Sequence, residues 1–371
     1  MRFGLVLHGE LSGASGGFLY DRMLVERLQA RGHTVDRIEL AWRSYGACLL
    51  RNLGGRSFDS VVSYPGDLLI QDELAHPSLV RANQVRRRRG AGPAVAIVHL
   101  LRSSEKRSAS DRALSRQVEA AYLRGVDGMV FNSDATRAAA ESLMGERADG
   151  VVVTPGGDRL GPGILNGWIE ERGLRSGPLR VLFVANLLRA KGLLTVLEAL
   201  SRLPPDQWEL TVAGSAEPDA GFAEEARRAA GRLGPEARIR FTGHLDGEAL
   251  AAEYRSHHVL AVPSAYEAFG IVYLEAMGFG LGPVGTTAGG AREVIEPGIS
   301  GYLVRPGDVE GVADVLRRLQ ADRDLLCRVG TEARRRFERL PGWEQSMDAA
   351  CDYLCAVAVR ARDARGSHRH G

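Results

Sequence analysis

Lysine is almost absent from this chain of 371 residues: of its 48 basic side chains only Lys106 and Lys191 are lysine, and the rest are arginine. Against such a compositional habit, a lysine that is kept is a candidate for a specific task. Cysteine is scarce too. Cys48, Cys327, Cys351 and Cys355 form no disulfide framework, and a reduced, cytoplasmic setting is expected. No apolar run is long enough to span a bilayer, and the chain opens on a strand-like run, Phe3–Leu7, so neither a membrane helix nor a leader is expected. A net charge of +2 argues against a nucleic-acid partner. The P-loop fingerprint for nucleotides is missing, and Gly16-Gly17 after the first strand is not part of a G-x-G-x-x-G.

What is present is ordinary globular composition, 44% hydrophobic and 25% charged, over a length that favours two domains. The first half alternates strand and helix signals. Phe3–His8, His33–Leu40, Ser60–Ser63, Ala94–Val98, Met129–Phe131 and Val151–Thr154 are predicted strands. Phe18–Arg31, Arg112–Leu123 and Asp134–Met144 are predicted helices. Asp158–Gly177, with five glycines, is predicted to be a linker with a short helix. The same alternation then restarts: strands at Arg180–Val184, Trp208–Ala213 and Ile239–Thr242, helices at Leu193–Leu203, Phe222–Leu233 and Gly247–Ser256. Val309–Glu338 and Trp343–Arg360 are helical by pattern, and the tail Gly366–Gly371 is expected to be disordered. The expected fold is α/β, two Rossmann-like doubly wound domains, 1–165 (with 343–371) and 166–342.

One stretch stands out. His258–Val262 is apolar and stops at Pro263-Ser264; a polar loop, Gly270 and the apolar Ile271–Met277 follow. This is strand, loop, helix, and open α/β sheets bind ligands where strands end and helices begin. The amides of Phe269, Gly270, Ile271 and Val272 stand at a helix N-terminus, where an anion such as a phosphate is held. Glu267 precedes this cradle and Glu275 lies inside the apolar helix. Carboxylates repel a phosphate but accept hydrogen bonds from a sugar diol. On these two residues alone, a solvated loop and a solvated helix face explain the pair as well.

The wider run resembles the retaining GT-B glycosyltransferases of family 4, the group 1 glycosyltransferases. Glu267 and Glu275 match its E-x7-E signature within E-x-F-G-I-V-x-L-E-A-M, followed by G-G-x-x-E-V-I at Gly289–Ile295 and G-Y-L-V-x-P-G-D at Gly301–Asp308. The resemblance implies a GT-B fold, two domains facing a cleft, with the final helix returning to the first domain. It implies metal-independent transfer of a sugar, with retention, from a nucleotide-sugar to an acceptor hydroxyl; a UDP-sugar is the commonest donor. Glu275 would bind the ribose. Lys191, the amides of Phe269–Val272 and the glycine pair Gly16-Gly17 would meet the diphosphate. Glu267 would hold the donor sugar, His99 would position sugar or acceptor, and backbone near Leu245 would meet the base. Taken alone, Gly16-Gly17 is as well a turn, His99 a structural histidine and Lys191 a solvated helix start.

Two departures stand out. The family's arginine before the lysine is replaced by Ala185-Asn186, with Arg189 as a substitute, and its G-x-P-V turn becomes Gly280-Leu281-Gly282-Pro283. The acceptor (small molecule, glycan or lipid-linked) is expected on the loops Glu10–Ser15, Tyr64–Glu73 and Arg102–Ser110. Arg86–Arg89 suits a helix C-terminus better than a lipid surface. Asp322 and Asp324 suit a helix cap better than a metal, and Cys351 and Cys355 suit a core better than zinc. The competing readings are a silent nucleotide-sugar binder, a lipid-acceptor mannosyl- or glucosyltransferase at the membrane surface, and an epimerase or sugar-phosphate synthase of the same architecture.

Overall fold

The computed structural model describes residues 1–9, 15–105, 108–163 and 166–367. They divide into two compact units, one of Met1–Pro155 with the chain from Trp343 onward, the other of Gly156–Gly342. The first unit is built on β1 (Arg2–His8), β2 (Thr34–Leu40), β3 (Leu68–Asp72), β4 (Ala94–Val98), β5 (Gly128–Phe131) and β6 (Gly150–Val152). The second is built on β7 (Leu179–Val184), β8 (Trp208–Ala213), β9 (Arg238–Gly243), β10 (Val259–Ala261), β11 (Gly282–Thr286) and β12 (Tyr302–Val304). Each set forms a six-stranded sheet whose paired strands run parallel, ordered β2-β1-β3-β4-β5-β6 and β12-β11-β10-β7-β8-β9. The strand order reverses between β1 and β3 and between β7 and β10, and these switch points open a crevice at the carboxyl ends.

The strand sequences follow from this burial. Central strands of a parallel sheet are covered on both faces and carry continuous apolar runs. AVAIV in β4 and GPVGT in β11 are buried throughout. The edge strands TVDRIEL and RIRFTG are exposed or partly exposed everywhere but Leu40 and carry charge, which blunts an open edge.

The periodicity misassigns one region. Ser60–Ser63 is not a strand; it lies at the end of the helix Arg56–Val62, and the true strand is Leu68–Asp72, inside the segment expected to be an acceptor loop. Two consecutive apolar residues, Val61 and Val62, do not distinguish a strand from a helix end. What decides is pairing: Leu69 and Ile70 stand between β1 and β4 in register with Gly4, Leu5, Ala94 and Val95.

The last helix, Trp343–Ser367, packs in the first unit, which corrects the expectation that disorder begins at Gly366. Residues 368–371 lie outside the described residues. Met347, Ala350, Cys351 and Leu354 are buried along it, the cysteines are free, and Trp343 meets Tyr20 edge-on at 6.0 Å. Arg27 and Arg31 add ion pairs to Asp348 and Asp352 at the rim. Partly exposed pairs of this kind contribute little, so apolar packing fixes the helix.

Candidate active site

In the second unit the switch point carries the first constellation. After β7 the chain makes a short turn through Lys191, and Gly192 takes φ +81° to start the helix Leu193–Leu200. A Cβ at Gly192 would lie 2.4 Å from the Pro263 carbonyl oxygen, and the Ala265 amide donates to Ala190 at 2.7 Å. The loops after β7 and β10 therefore touch, and they bring Lys191 Nζ to 2.9 Å from Glu267 Oε2. Ser264 Oγ donates to the same oxygen at 3.2 Å. A third loop fixes Glu267 from behind. Its amide donates to Ala288, its carbonyl accepts from Gly290, and Gly289 sits at φ +93° where a Cβ would be 2.0 Å from the Glu267 oxygen. The first glycine of G-G-x-x-E-V-I, Gly289, thus lets Glu267 close in. Gly289→Ala is expected to destabilise the unit by more than the roughly 1–3 kcal/mol of backbone strain alone, seen as a lowered melting temperature; an unchanged one would contradict this contact.

Beside the pair, the helix Ile271–Gly278 begins at Gly270, whose φ of +100° and closeness to the Tyr273 ring, 2.2 Å from a notional Cβ, admit only glycine. The first intrahelical bonds come from Tyr273 and Leu274, so the amides of Ile271 and Val272 precede them at the positive end of the helix.

Glu275 is buried, 1% exposed, and is not an open carboxylate. Arg159 Nε donates to Oε1 at 2.7 Å and Tyr254 Oη to Oε2 at 3.1 Å, while the other arm of Arg159 reaches Asp246 at 2.6 Å. Burial raises the Glu275 carboxyl, and Arg159 and Tyr254 pull it back. Neither partner was expected from the sequence. Leu245, between β9 and the next helix, packs partly buried against the core.

The second constellation lies at the switch point of the first unit. Gly16 opens the helix Gly16–Ala30, capped by Ser15, whose Oγ accepts from the Phe18 amide. Gly17 lies against His99: a Cβ there would be 3.2 Å from His99 Cδ2. One turn further, Asp21 is buried and its Oδ1 stands 3.0 Å from His99 Nε2. The His99 amide donates to Glu73 Oε2 at 2.8 Å, and Asp72 is buried alongside. Asp21, Asp72 and His99 bring ligand-capable atoms within 4.8 Å of one another. His99 Nε2 lies at hydrogen-bond length from Asp21 Oδ1.

Burial, then repulsion from Asp21, pushes Asp72 up to about 7. Burial and Asp72 push Glu73 well up. Burial lowers His99, but Asp21, Asp72 and Glu73 outweigh it and raise the ring to about 9. All three values lie above those of the unfolded chain, so the stability they contribute is full at low pH and is lost as pH rises through 7 and then 9. Wild-type protein is therefore expected to melt at steadily lower temperature from pH 6 to 9.5. A rising or flat profile would contradict the cluster.

Arg189 pairs with Glu225 and lies over the Phe222 ring at 5.1 Å. Arg86–Arg89 closes the helix Val80–Arg88, as expected, and Arg86 is buried and donates to the carbonyls of Val61, Val62, Tyr64 and Gly92. Asp322 does cap a helix, accepting from Leu325 at 2.7 Å. Gly282 and Pro283 belong to β11 and pair in register with Val259 and Leu260. Glu10–Ala14, Lys106 and Arg107 of the acceptor loops lie outside the described residues. Among the described residues no helix is long and apolar enough to cross a membrane.

Two parallel six-stranded sheets with helices about them, each with its site at the carboxyl edge, define a GT-B protein. Comparison agrees. The chain aligns with the sucrose-phosphate synthase of Thermosynechococcus elongatus over 97% of its length and 99% of that chain, at TM-score 0.80 and 22% identity. It aligns with Anabaena HepE, solved with UDP and glucose, over 96% and 100%, at TM-score 0.77 and 20% identity. At those identities the likeness concerns the fold. Residues 167–336 match the family of glycosyl transferases, group 1. The D-inositol 3-phosphate glycosyltransferase of Xylanimonas cellulosilytica is 32% identical over 258 residues, 65% of this chain and 61% of that protein. The chain thus spans about three-fifths of the length of that relative.

Proposed function

We propose that the protein is a retaining glycosyltransferase that moves a hexose from a nucleotide-sugar, a UDP-sugar by preference, to an acceptor hydroxyl without a metal. The carrying observation is the Lys191–Glu267 contact beside the helix N-terminus at Gly270. A cation, a carboxylate and free amides in one place suit a sugar diphosphate, whose two ends need opposite partners. Lys191 has three N–H donors and Glu267 takes one; the others, with the amides of Phe269–Val272, meet the diphosphate. Glu267 holds the sugar hydroxyls. Glu275 accepts from the ribose on its remaining lone pairs, and Arg159, about a fifth exposed (22%), is the cover that shifts to admit it. The backbone of Leu245 meets the base. Within the first unit, Gly16-Gly17 and His99 serve a sugar or phosphate oxygen.

In the reaction the acceptor oxygen bonds to the anomeric carbon as the bond from that carbon to the phosphate oxygen breaks. The acceptor proton passes to the departing phosphate. Charge grows on that phosphate, and fixed donors lower the barrier where charge develops. HepE, solved with UDP and glucose, supports the donor class.

A catalytically silent nucleotide-sugar binder is the second reading, favoured by the diversion of Arg189 to Glu225. Incubation with UDP-glucose separates them. The enzyme reading expects slow UDP release with the glucose set free as the α-anomer; binding without any release, across UDP-, GDP- and ADP-sugars, would favour the silent binder.

A further inference from the structure

His99 stands where three elements of the first unit meet. Asp21 comes from the helix after β1, Asp72 and Glu73 from the end of β3, and His99 itself follows β4. Its ring is boxed in. Gly17 lies against Cδ2, Tyr20 meets it edge-on at 5.3 Å, and Nε2 is bonded to Asp21. Nδ1 makes no hydrogen bond to a described residue. Asp21 is fully buried, and its Oδ2 has no partner among the described residues. An ionised carboxylate so placed is costly unless a cation touches it. The groups facing the cluster are acidic or neutral: Asp72 and Glu73 from β3, Glu119 beyond Glu73, and the tyrosines Tyr20 and Tyr122. The imidazole is the group available to supply the charge.

We propose that Asp21 is a positioning residue for His99: its hydrogen bond fixes the ring, and its charge makes the ring a two-proton donor whose Nδ1–H is left for an oxygen of a sugar or phosphate. The inference rests on the glycosyltransferase reading for what the ring touches, but the state of the ring can be tested without turnover. Nothing covalent is involved. The proton on Nδ1 is shared with the bound oxygen without leaving the ring. A neutral ring bonded through Nε2–H would instead present Nδ1 as an acceptor, which repels phosphate. The two states therefore bind different ligand atoms.

The test uses the full chain. Long-range proton–nitrogen spectra of the imidazole rings are recorded from pH 5.5 to 9.5, with His99→Gln identifying the signal. In wild type both ring nitrogens are expected to carry protons at pH 7.5, where an unpaired histidine is mostly neutral; a singly protonated ring would overturn the proposal with no variant needed. Asp21→Asn keeps the acceptor and removes the charge. It is expected to move the His99 midpoint down by at least one pH unit, lower kcat about tenfold at pH 8, and leave the donor KM within about twofold. The alkaline limb of kcat should move with the NMR midpoint. An unmoved midpoint, or a limb that stays while the midpoint moves, would overturn the positioning role. Loss of activity in no variant, His99→Gln included, with the ring doubly protonated, would count against the wider reading of His99 and leave the Asp21 pair in place.

Discussion

Lys191→Ala is expected to lower kcat by about two to three orders of magnitude, the usual cost of removing a donor aimed at developing charge. The size matters because a bland role gives a different number. Lys191 Nζ is 2.9 Å from Glu267, and its side chain is 31% exposed. If it only tied the two loops together, its loss would remove a partly exposed ion pair worth about 0–1 kcal/mol. The loops would still be held by the Ala265–Ala190 bond and the Gly192 contact with Pro263. The expected result is a large fall in kcat with a melting temperature changed by only a few degrees. A near-normal rate would remove Lys191 from the phosphate site. Lys191→Arg should recover little, since a planar fork cannot share itself between Glu267 and a diphosphate as an ammonium does.

Glu275→Ala carries the second large effect, and it falls on stability as well as binding. The substitution leaves Arg159 tied to Asp246 alone and strands the buried Tyr254 hydroxyl. Breaking a buried pair from one side costs about 3–5 kcal/mol, enough to lower the melting temperature plainly. Glu275→Gln separates the two effects. It keeps the shape and an acceptor for Tyr254, so most of the fold survives, but it removes the charge that a diol would meet. UDP affinity is expected to fall at least tenfold in both variants, read by calorimetry. Unchanged affinity in Glu275→Gln would restrict Glu275 to holding Arg159 and Tyr254.

The sequence showed these two sites unequally. In the second unit the apolar run Val259–Val262, the Pro263-Ser264 stop and the glycine before Ile271 marked strand, loop and helix, because each is a local signal. Lys191 and Glu267 were visible as candidates, and their contact was not, since it depends on two loops meeting across the switch point. Arg159 could not be read at all: its partner Glu275 is 116 residues away, and a lone arginine in a glycine-rich linker looks like any other. In the first unit His99 was visible at the end of β4, but its acids were passed over. A signal for Asp21 existed. It lies on the buried stripe of Tyr20, Leu24, Val25 and Leu28, where a charge needs a partner. Asp72-Glu73 are hidden because Leu68–Asp72 falls inside the expected loop Tyr64–Glu73. Leu68–Ile70 is too short an apolar run to mark a strand, and only pairing with β1 and β4 makes it one.

The most direct measurement is a thermal-shift panel of UDP, GDP, ADP and TDP, each with and without EDTA. A ligand at about a hundred times its dissociation constant stabilises the folded state by roughly 2.7 kcal/mol, a readable shift. One diphosphate, UDP by preference, should stabilise wild-type protein equally with and without EDTA and stabilise Lys191→Ala much less. No response to any of the four, or a response abolished by EDTA, would contradict a metal-free donor site at Lys191, Glu267 and Gly270.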